Sequence, residues 1–312
     1  MQGTGAIRFA VARLLSAIPT LFFVIVLSFL MMHAAPGGPF DDARVLPPET
    51  RANLEAAYQL DAPLTEQLLT YMGGLLHGDF GPSYRYPGYT VGELIGSALP
   101  VSLKVGGLGL MLALVIGVTI GSAAAVRRNT VTDRLLTGFA LTGISVPVLI
   151  IAPVLVLVFA VKLGWLPASW TTGNEGPRLV LPVIGIALPQ IAYIMRLTRV
   201  SMIDALSSDF IRTARAQGFP MATIVLRHAM KPAMLPLLSY MGPAIAAVMA
   251  GSVVVEQIFG IPGLGQLFVR GALNRDYTLV LGIVIVYATL VIALNLLVDL
   301  LYGLLDPRIR RG

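Results

Sequence analysis

TLVLGIVIVYATLVIALNLLVDLLYGLL, residues 278–305, holds one charge, Asp299, in 28 positions. At ~1.5 Å of rise per residue a helix of that length exceeds the ~30 Å of a hydrocarbon layer. Working outward, comparable apolar stretches recur near residues 14–35, 101–126, 135–161, 179–195 and 233–255. The whole chain of 312 residues is 56% hydrophobic and only 12% charged, with mean hydropathy +0.81. Soluble domains carry about 25% charge, so an ordinary water-soluble globule is excluded. The expected fold is an all-α polytopic membrane protein with six transmembrane helices in a single domain over residues 1–312.

The first stretch follows Arg8 and Arg13, and His33-Ala34-Ala35 resembles a cleavage site. Its length exceeds the ~7–15 residues of a signal core, and five further spans follow, so a retained first helix is expected. Basic residues stay on the cytoplasmic side. The first, third, fifth and seventh polar segments hold 14 Lys or Arg against four acids, whereas the alternate segments hold six against ten. Both termini are therefore expected inside. The net charge of +6 and pI near 9.8 report this topology. Nothing interleaves basic runs with aromatics as a nucleic-acid surface would.

Three polar segments are longer than connections require. Residues 36–100 are expected to form an extracytoplasmic cap, with short helices at Glu49–Leu60 and Leu64–His77 and turn chemistry across His77-Gly78-Asp79-Phe80-Gly81-Pro82-Ser83. A second outside feature is Glu256-Gln257-Ile258-Phe259-Gly260-Ile261-Pro262-Gly263-Leu264-Gly265. It lacks the Lys-Ser/Thr pair of a phosphate cradle. Phe259, Ile261 and Leu264, punctuated by Gly and Pro, describe an apolar loop that bends tightly toward the membrane. Such backbone survives at depth only beside protein or a wet cavity, so the loop suits a pathway wall, or else a tight interfacial turn. Inside, residues 197–232 hold a helix-friendly piece from Asp209 to Gly218. Asp209 is placed to cap it, and Gly218 with Phe219-Pro220 ends it. Small residues at Ala214, Ala216 and Gly218 favour docking of a partner over anchoring to lipid.

No HExxH, GxSxG or GxxxxGK[ST] occurs, and there is no cysteine, so zinc proteolysis, serine hydrolysis, nucleotide hydrolysis and thiol chemistry have no visible equipment. His33, His77 and His228 are scattered over three polar borders, which argues against a metal site. Lys104, Lys162 and Glu256 fall near span ends, where snorkelling is expected. Asp299 sits deeper, yet one deep acid without an inverted repeat is thin support for an ion-coupled carrier. Gly117-Val-Thr-Ile-Gly121 is a helix-packing signal.

Arg212-Thr213-Ala214-Arg215-Ala216-Gln217-Gly218, followed by Arg227-His228-Ala229 and Leu235-Pro236, resembles the docking loop of the permeases of ABC importers. The family pattern is Glu-Ala-Ala, three residues, then Gly. Here Arg212 and Thr213 replace Glu and Ala, the form found in the peptide branch. Pro36-Gly37-Gly38-Pro39, Gly260–Gly265 with Asn274-Arg275-Asp276-Tyr277, and Asp299–Tyr302 with Asp306-Pro307-Arg308 look like the same branch. Leu46-Pro47-Pro48-Glu49, His77–Ser83 and Ser239-Tyr240-Met241-Gly242-Pro243 are similar to its oligopeptide members.

The resemblance implies a type I importer permease fold and multi-pass residence in the cell inner membrane. It further implies a homologous second permease (the C subunit of such systems), two cytoplasmic ATPases and an extracytoplasmic peptide-binding protein. ATP and Mg would be bound by the ATPases, so this chain needs no cofactor and is not itself an enzyme. Asp209, Arg212, Thr213, Ala214, Arg215, Ala216, Gly218, Phe219 and Pro220 would dock the ATPases. Glu256, Phe259, Ile261, Pro262, Gly263, Leu264 and Gly265 would lie nearest the delivered peptide. Dipeptide, nickel or glutathione transport is the alternative within the family. A secondary carrier or a membrane enzyme, the latter lacking a catalytic pair, are the alternatives outside it.

Overall fold

The computed structural model describes residues 4–34, 37–39, 60–171, 173 and 175–305, with the backbone alone described at residues 4–12, 14, 175 and 302–305. The expected helix at Glu49–Leu60 and the motifs at residues 46–49 and 306–308 lie outside the described residues, as does Pro36. The elements are α1 (Thr4–Ala34), α2 (Leu64–Leu76), α3 (Val91–Val126), α4 (Val131–Ser145), α5 (Val148–Leu155, continued by a π-helical turn Val156–Lys162), α6 (Glu175–Ser207), α7 (Asp209–Ala216), α8 (Met221–Phe259), α9 (Leu264–Leu273) and α10 (Tyr277–Leu305). Helix closes every backbone hydrogen bond within its own segment, which an apolar medium demands. Five of these helices, α1, α3, α6, α8 and α10, are long and apolar enough to cross a membrane.

The stretch expected as one span near residues 135–161 is instead two helices, Val131–Ser145 and Val148–Lys162, meeting at 104°. Pro147 explains the break. It has no N–H to give, and it drives Val146 into the extended conformation, ψ 118°. Counted as one bent span, the pair brings the total to six.

Contacts group the chain into two units, one on Leu103–Ile261 with Met1–Val11 and Ala293–Gly312, the other on Ala12–Ser102 with Pro262–Ile292. In the first, α3 lies against α6 along a seam of small residues four apart. A Cβ on Gly109 would stand 2.8 Å from Ile186, on Gly117 2.8 Å from Ile194, and on Gly121 2.5 Å from the Met195 carbonyl oxygen. Ala113 continues the seam, fully buried. Without a hydrophobic drive between helices in lipid, close approach and dispersion hold such a pair. Two Arg199 nitrogens then clamp α4 to α6. Nε and Nη2 donate to the two oxygens of buried Asp133 at 2.6 and 2.7 Å. Asn129 N–H adds a third bond at 2.9 Å.

The second unit is organised by Asp276, which is fully buried just before α10. Its carboxylate accepts from the Ser83 hydroxyl, the Tyr84 and Arg85 N–H groups at 3.2 and 3.3 Å, and the Leu279 N–H at 3.3 Å. Thr278 Oγ1 donates to the Pro82 carbonyl at 2.6 Å, and Arg85 Nε to the Asn274 carbonyl at 2.8 Å. Tyr277 Oη donates to the Gly37 carbonyl at 2.9 Å. Three polar stretches far apart in sequence, 37–39, 77–85 and 274–277, are thus tied together. Around them Val91, Ile95, Leu264, Leu279 and Ile283 form the apolar core of this unit.

Two outcomes follow. Gly121→Leu forces α3 off the α6 backbone and should lower the melting temperature of the solubilised protein sharply. Gly138→Leu, where a Cβ meets nothing within 4 Å, should leave it within a few tenths of a kcal/mol of the parent. Asp276→Ala strands several buried donors at ~1–3 kcal/mol each. Limited proteolysis should then cut first within residues 77–90, and an unchanged digestion pattern would remove Asp276 from its organising role.

Candidate functional site

α6 does not stop where its apolar run ends near Met195 but continues to Ser207. Ser208, in extended conformation, precedes α7 and occupies the cap position, one residue before the Asp209 expected there, with no side-chain cap bond. The pattern of α7 explains its seat. Ile211 and Ala214, three apart and so on one face, are buried against Met202, Ala205 and Leu206 of α6 and Ile224 and Ala229 of α8. The remaining positions, Asp209, Phe210, Arg212, Thr213, Arg215 and Ala216, are exposed.

Arg212 Nη1 donates to Asp209 Oδ1 at 3.0 Å, with both side chains open to solvent. Such a pair contributes little by itself, about 0.2–1 kcal/mol. Thr213 Oγ1 donates to the Asp209 carbonyl at 3.2 Å. After Gln217 the chain reverses at Gly218, φ +82°, where the Phe219 N–H returns to the Ala214 carbonyl at 3.3 Å. A Cβ on Gly218 meets nothing within 4 Å of this chain, so its glycine answers to backbone conformation and not to crowding here. Pro220 then opens α8. Phe219 stays exposed, its ring centroid 5.5 Å from that of His228, and Phe210, Met221 and Leu226 are also exposed. Together they form a small basic helix rimmed by exposed apolar side chains and seated rigidly on α6 and α8.

The Glu256–Gly265 stretch, expected as a tightly bent apolar loop, is helical over its first four residues. α8 runs to Phe259 and closes with Gly260 in the left-handed conformation, φ +66°. The N–H groups of Gly260 and Ile261 both return to the Glu256 carbonyl, the second at 2.9 Å, the glycine-ended cap that satisfies a helix terminus. Glu256, Phe259, Ile261, Gly263, Leu264 and Gly265 are all buried. Glu256 therefore does not snorkel. The Phe259 carbonyl accepts from Trp170 N–H at 2.8 Å. Leu264 N–H, at the start of α9, donates to Ser102 Oγ at 2.8 Å. What remains exposed here is Gln257, Gly260 and Pro262.

Sequence reasoning missed the Asp133–Arg199 clamp and the Asp276 cluster, whose partners lie 66 and about 190 residues apart. The one signal for the second was that His77–Ser83 and Asn274–Tyr277 each matched the same branch. No group of His, Asp and Glu suited to a metal ion occurs among the described residues.

Residues 117–311 match the model of the binding-protein-dependent transport system inner membrane component family. The oligopeptide transport system permease protein OppB of Salmonella typhimurium is 51% identical over 304 residues, covering 97% of this chain and 99% of that one. OppB of Escherichia coli K12 is 50% identical over the same shares. The dipeptide transport system permease protein DppB of Bacillus subtilis is 38% identical, covering 97% and 98%. A crystal structure of an amino acid ABC transporter with histidines shares the fold at TM-score 0.50 and 18% identity, over 69% of this chain and 94% of that one. With the family model spanning well over half its length, this multi-pass chain belongs to the binding-protein-dependent transport system inner membrane components.

Proposed function

We propose that the chain is a transmembrane permease of an ATP-driven importer that moves oligopeptides across the cytoplasmic membrane. Its relatives' names support the substrate class. The 51% and 50% identities to OppB exceed the 38% to DppB, which keeps dipeptide transport as the second reading. The working assembly pairs this chain with a homologous permease, two ATPase subunits that bind ATP and Mg, and an extracytoplasmic binding protein. In the membrane the bent pair α4–α5 serves as one of six spans, with both termini and α7 inside and the residue 36–100 cap outside. The excess of Lys and Arg on alternate segments supports that orientation.

The observation that carries the coupling role is the two-faced seat of α7. Ile211 and Ala214 lock it to α6 and α8, while Arg212 and Arg215 face outward. A push on the exposed face therefore moves the long helices instead of bending a loop. The positive φ of Gly218 lets Phe219 and Pro220 turn away without lengthening the contact. On the other side, Glu256–Gly265 acts as a shaped wall. Its buried Phe259, Ile261 and Leu264 fix the bend, and exposed Gln257, Gly260 and Pro262 form the edge next to the passing peptide.

Replacing both Arg212 and Arg215 with Glu should strip the ATPases from the purified complex and cut peptide uptake by about tenfold or more, a shift that ~1.4 kcal/mol suffices to produce. Membrane insertion should be unaffected, since both side chains are exposed. ATPases that co-purify in full amount would reduce these arginines to solvated charges. Uptake that survives ATP depletion but collapses with an uncoupler would favour an ion-coupled carrier.

A further inference from the structure

A cavity of about 290 Å³ lies in the second unit, between α1, α2 and the start of α10. Phe29, His33, Tyr71, Asp79, Tyr84 and Tyr277 supply its chemistry. Three features of the wall point the same way. Among the described residues the wall holds a carboxylate and no Lys or Arg. One oxygen of Asp79 accepts the Gly81 N–H at 2.8 Å, and the other has no partner among the described residues. Ring faces crowd together, with His33 and Phe29 centroids 4.1 Å apart, His33 and Tyr277 5.1 Å, and Tyr84 and Tyr277 6.5 Å. Asp79 itself is exposed at the rim, and the ring faces behind it attract a cation more strongly where water is thinned.

The polar groups are also short of donors. Gln67 spends its amide N–H groups on the Leu60 and Ala62 carbonyls, at 3.1 and 2.8 Å, which turns Oε1 toward His33. His33 Nδ1–H donates to the Phe29 carbonyl at 2.8 Å, and Nε2 lies 3.3 Å from Gln67 Oε1. In a neutral ring so held, two acceptors face each other. Tyr71 Oη is buried with no partner among the described residues. Burial pushes the Tyr71 hydroxyl to ionise above the ordinary tyrosine range, with a smaller push from Tyr84, so the oxygen stays neutral and its lone pairs are open to a donor. A group with several N–H donors and one positive charge answers all of these at once.

We propose that this cavity binds a primary ammonium group, the free amino end of a peptide, as a receiving site of the permease itself. The assignment of a peptide as the source of the ammonium rests on the proposed peptide-importer reading. Asp79 provides the counter-charge, Tyr71 and Gln67 the acceptors, and Phe29, Tyr84 and Tyr277 the ring faces.

The chain contains no cysteine, so Thr70→Cys, an exposed position on the cavity wall, gives a single reporter. The complete importer is reconstituted in vesicles of phosphatidylcholine and phosphatidylglycerol, and maleimide labelling of that cysteine is timed on this chain. Millimolar tri-alanine should slow labelling, whereas N-acetyl-tri-alanine should not. Asp79→Asn should raise the protecting concentration about tenfold and Tyr71→Phe several-fold. Equal protection by the acetylated peptide, or none by either, overturns the proposal without depending on any variant's folding. Protection that appears only when phosphatidylethanolamine is added assigns the cavity to a lipid headgroup and also overturns it. Peptide uptake is measured on the same vesicles with the binding protein. Normal uptake with an unprotected cysteine removes the cavity alone, whereas absent uptake removes the importer reading.

Discussion

Arg199 and Asp133 form the interaction on which the first unit depends. Two short, parallel hydrogen bonds hold a buried carboxylate to a guanidinium of α6. A buried carboxylate left without its partner costs about 3–5 kcal/mol, so α4 cannot slide on α6 while the pair is intact. One turn away, Gly121 brings α3 onto the same stretch of α6, against Met195, Thr198 and Arg199. Three helices are thereby fixed at one level of α6. From that level α6 runs unbroken to Ser207 and carries α7 on its end. A load on α7 therefore reaches α3 and α4 through a rod rather than through a flexible connection, and glycines supply the closeness that makes the rod stiff.

The second unit is held by different physics. Its polar stretches converge on the Asp276 carboxylate, where a single buried charge is compensated by hydroxyl and backbone donors instead of a cation. Charge-assisted bonds of this kind are roughly twice as strong as neutral ones. They fix a shape that apolar packing alone would leave adjustable. That firmness keeps a cavity open beside Tyr84 and Tyr277, since side chains tied by directional bonds cannot collapse into it.

Much of this was legible in the sequence, and the reasons for the rest are specific. Apolar runs located the long helices because a membrane span is a matter of length and charge count. The 104° bend at Pro147 was not legible, because Pro100, Pro182, Pro189, Pro236 and Pro243 sit within helices that continue through them. Composition does not tell these prolines from Pro147. The continuation of α6 to Ser207 escaped notice because hydropathy ends where the helix leaves apolar surroundings, while its hydrogen bonds do not. The bend at Gly260–Gly263 was legible in its glycines and proline, but the partners that bury Phe259, Ile261 and Leu264 were not, because local sequence cannot reveal what packs over a turn. Asp276 and Ser83 are 193 residues apart, and only the fold joins them. In contrast, α7 was legible as a short basic helix from Asp209 carrying Arg212 and Arg215, although Ala214, expected with Ala216 and Gly218 on the docking surface, is instead buried against α6 and α8.

The central claim is that the exposed face of α7 is where the ATPases bear on this chain. In the cysteine-free sequence, a single benzophenone-bearing cysteine at Thr213, exposed on that face, can be photolysed in the fully assembled, purified importer. The account predicts a covalent product containing this chain and an ATPase subunit as the main adduct. A label at Thr213 that reacts only with lipid or detergent, while the complex is intact and active, would contradict it.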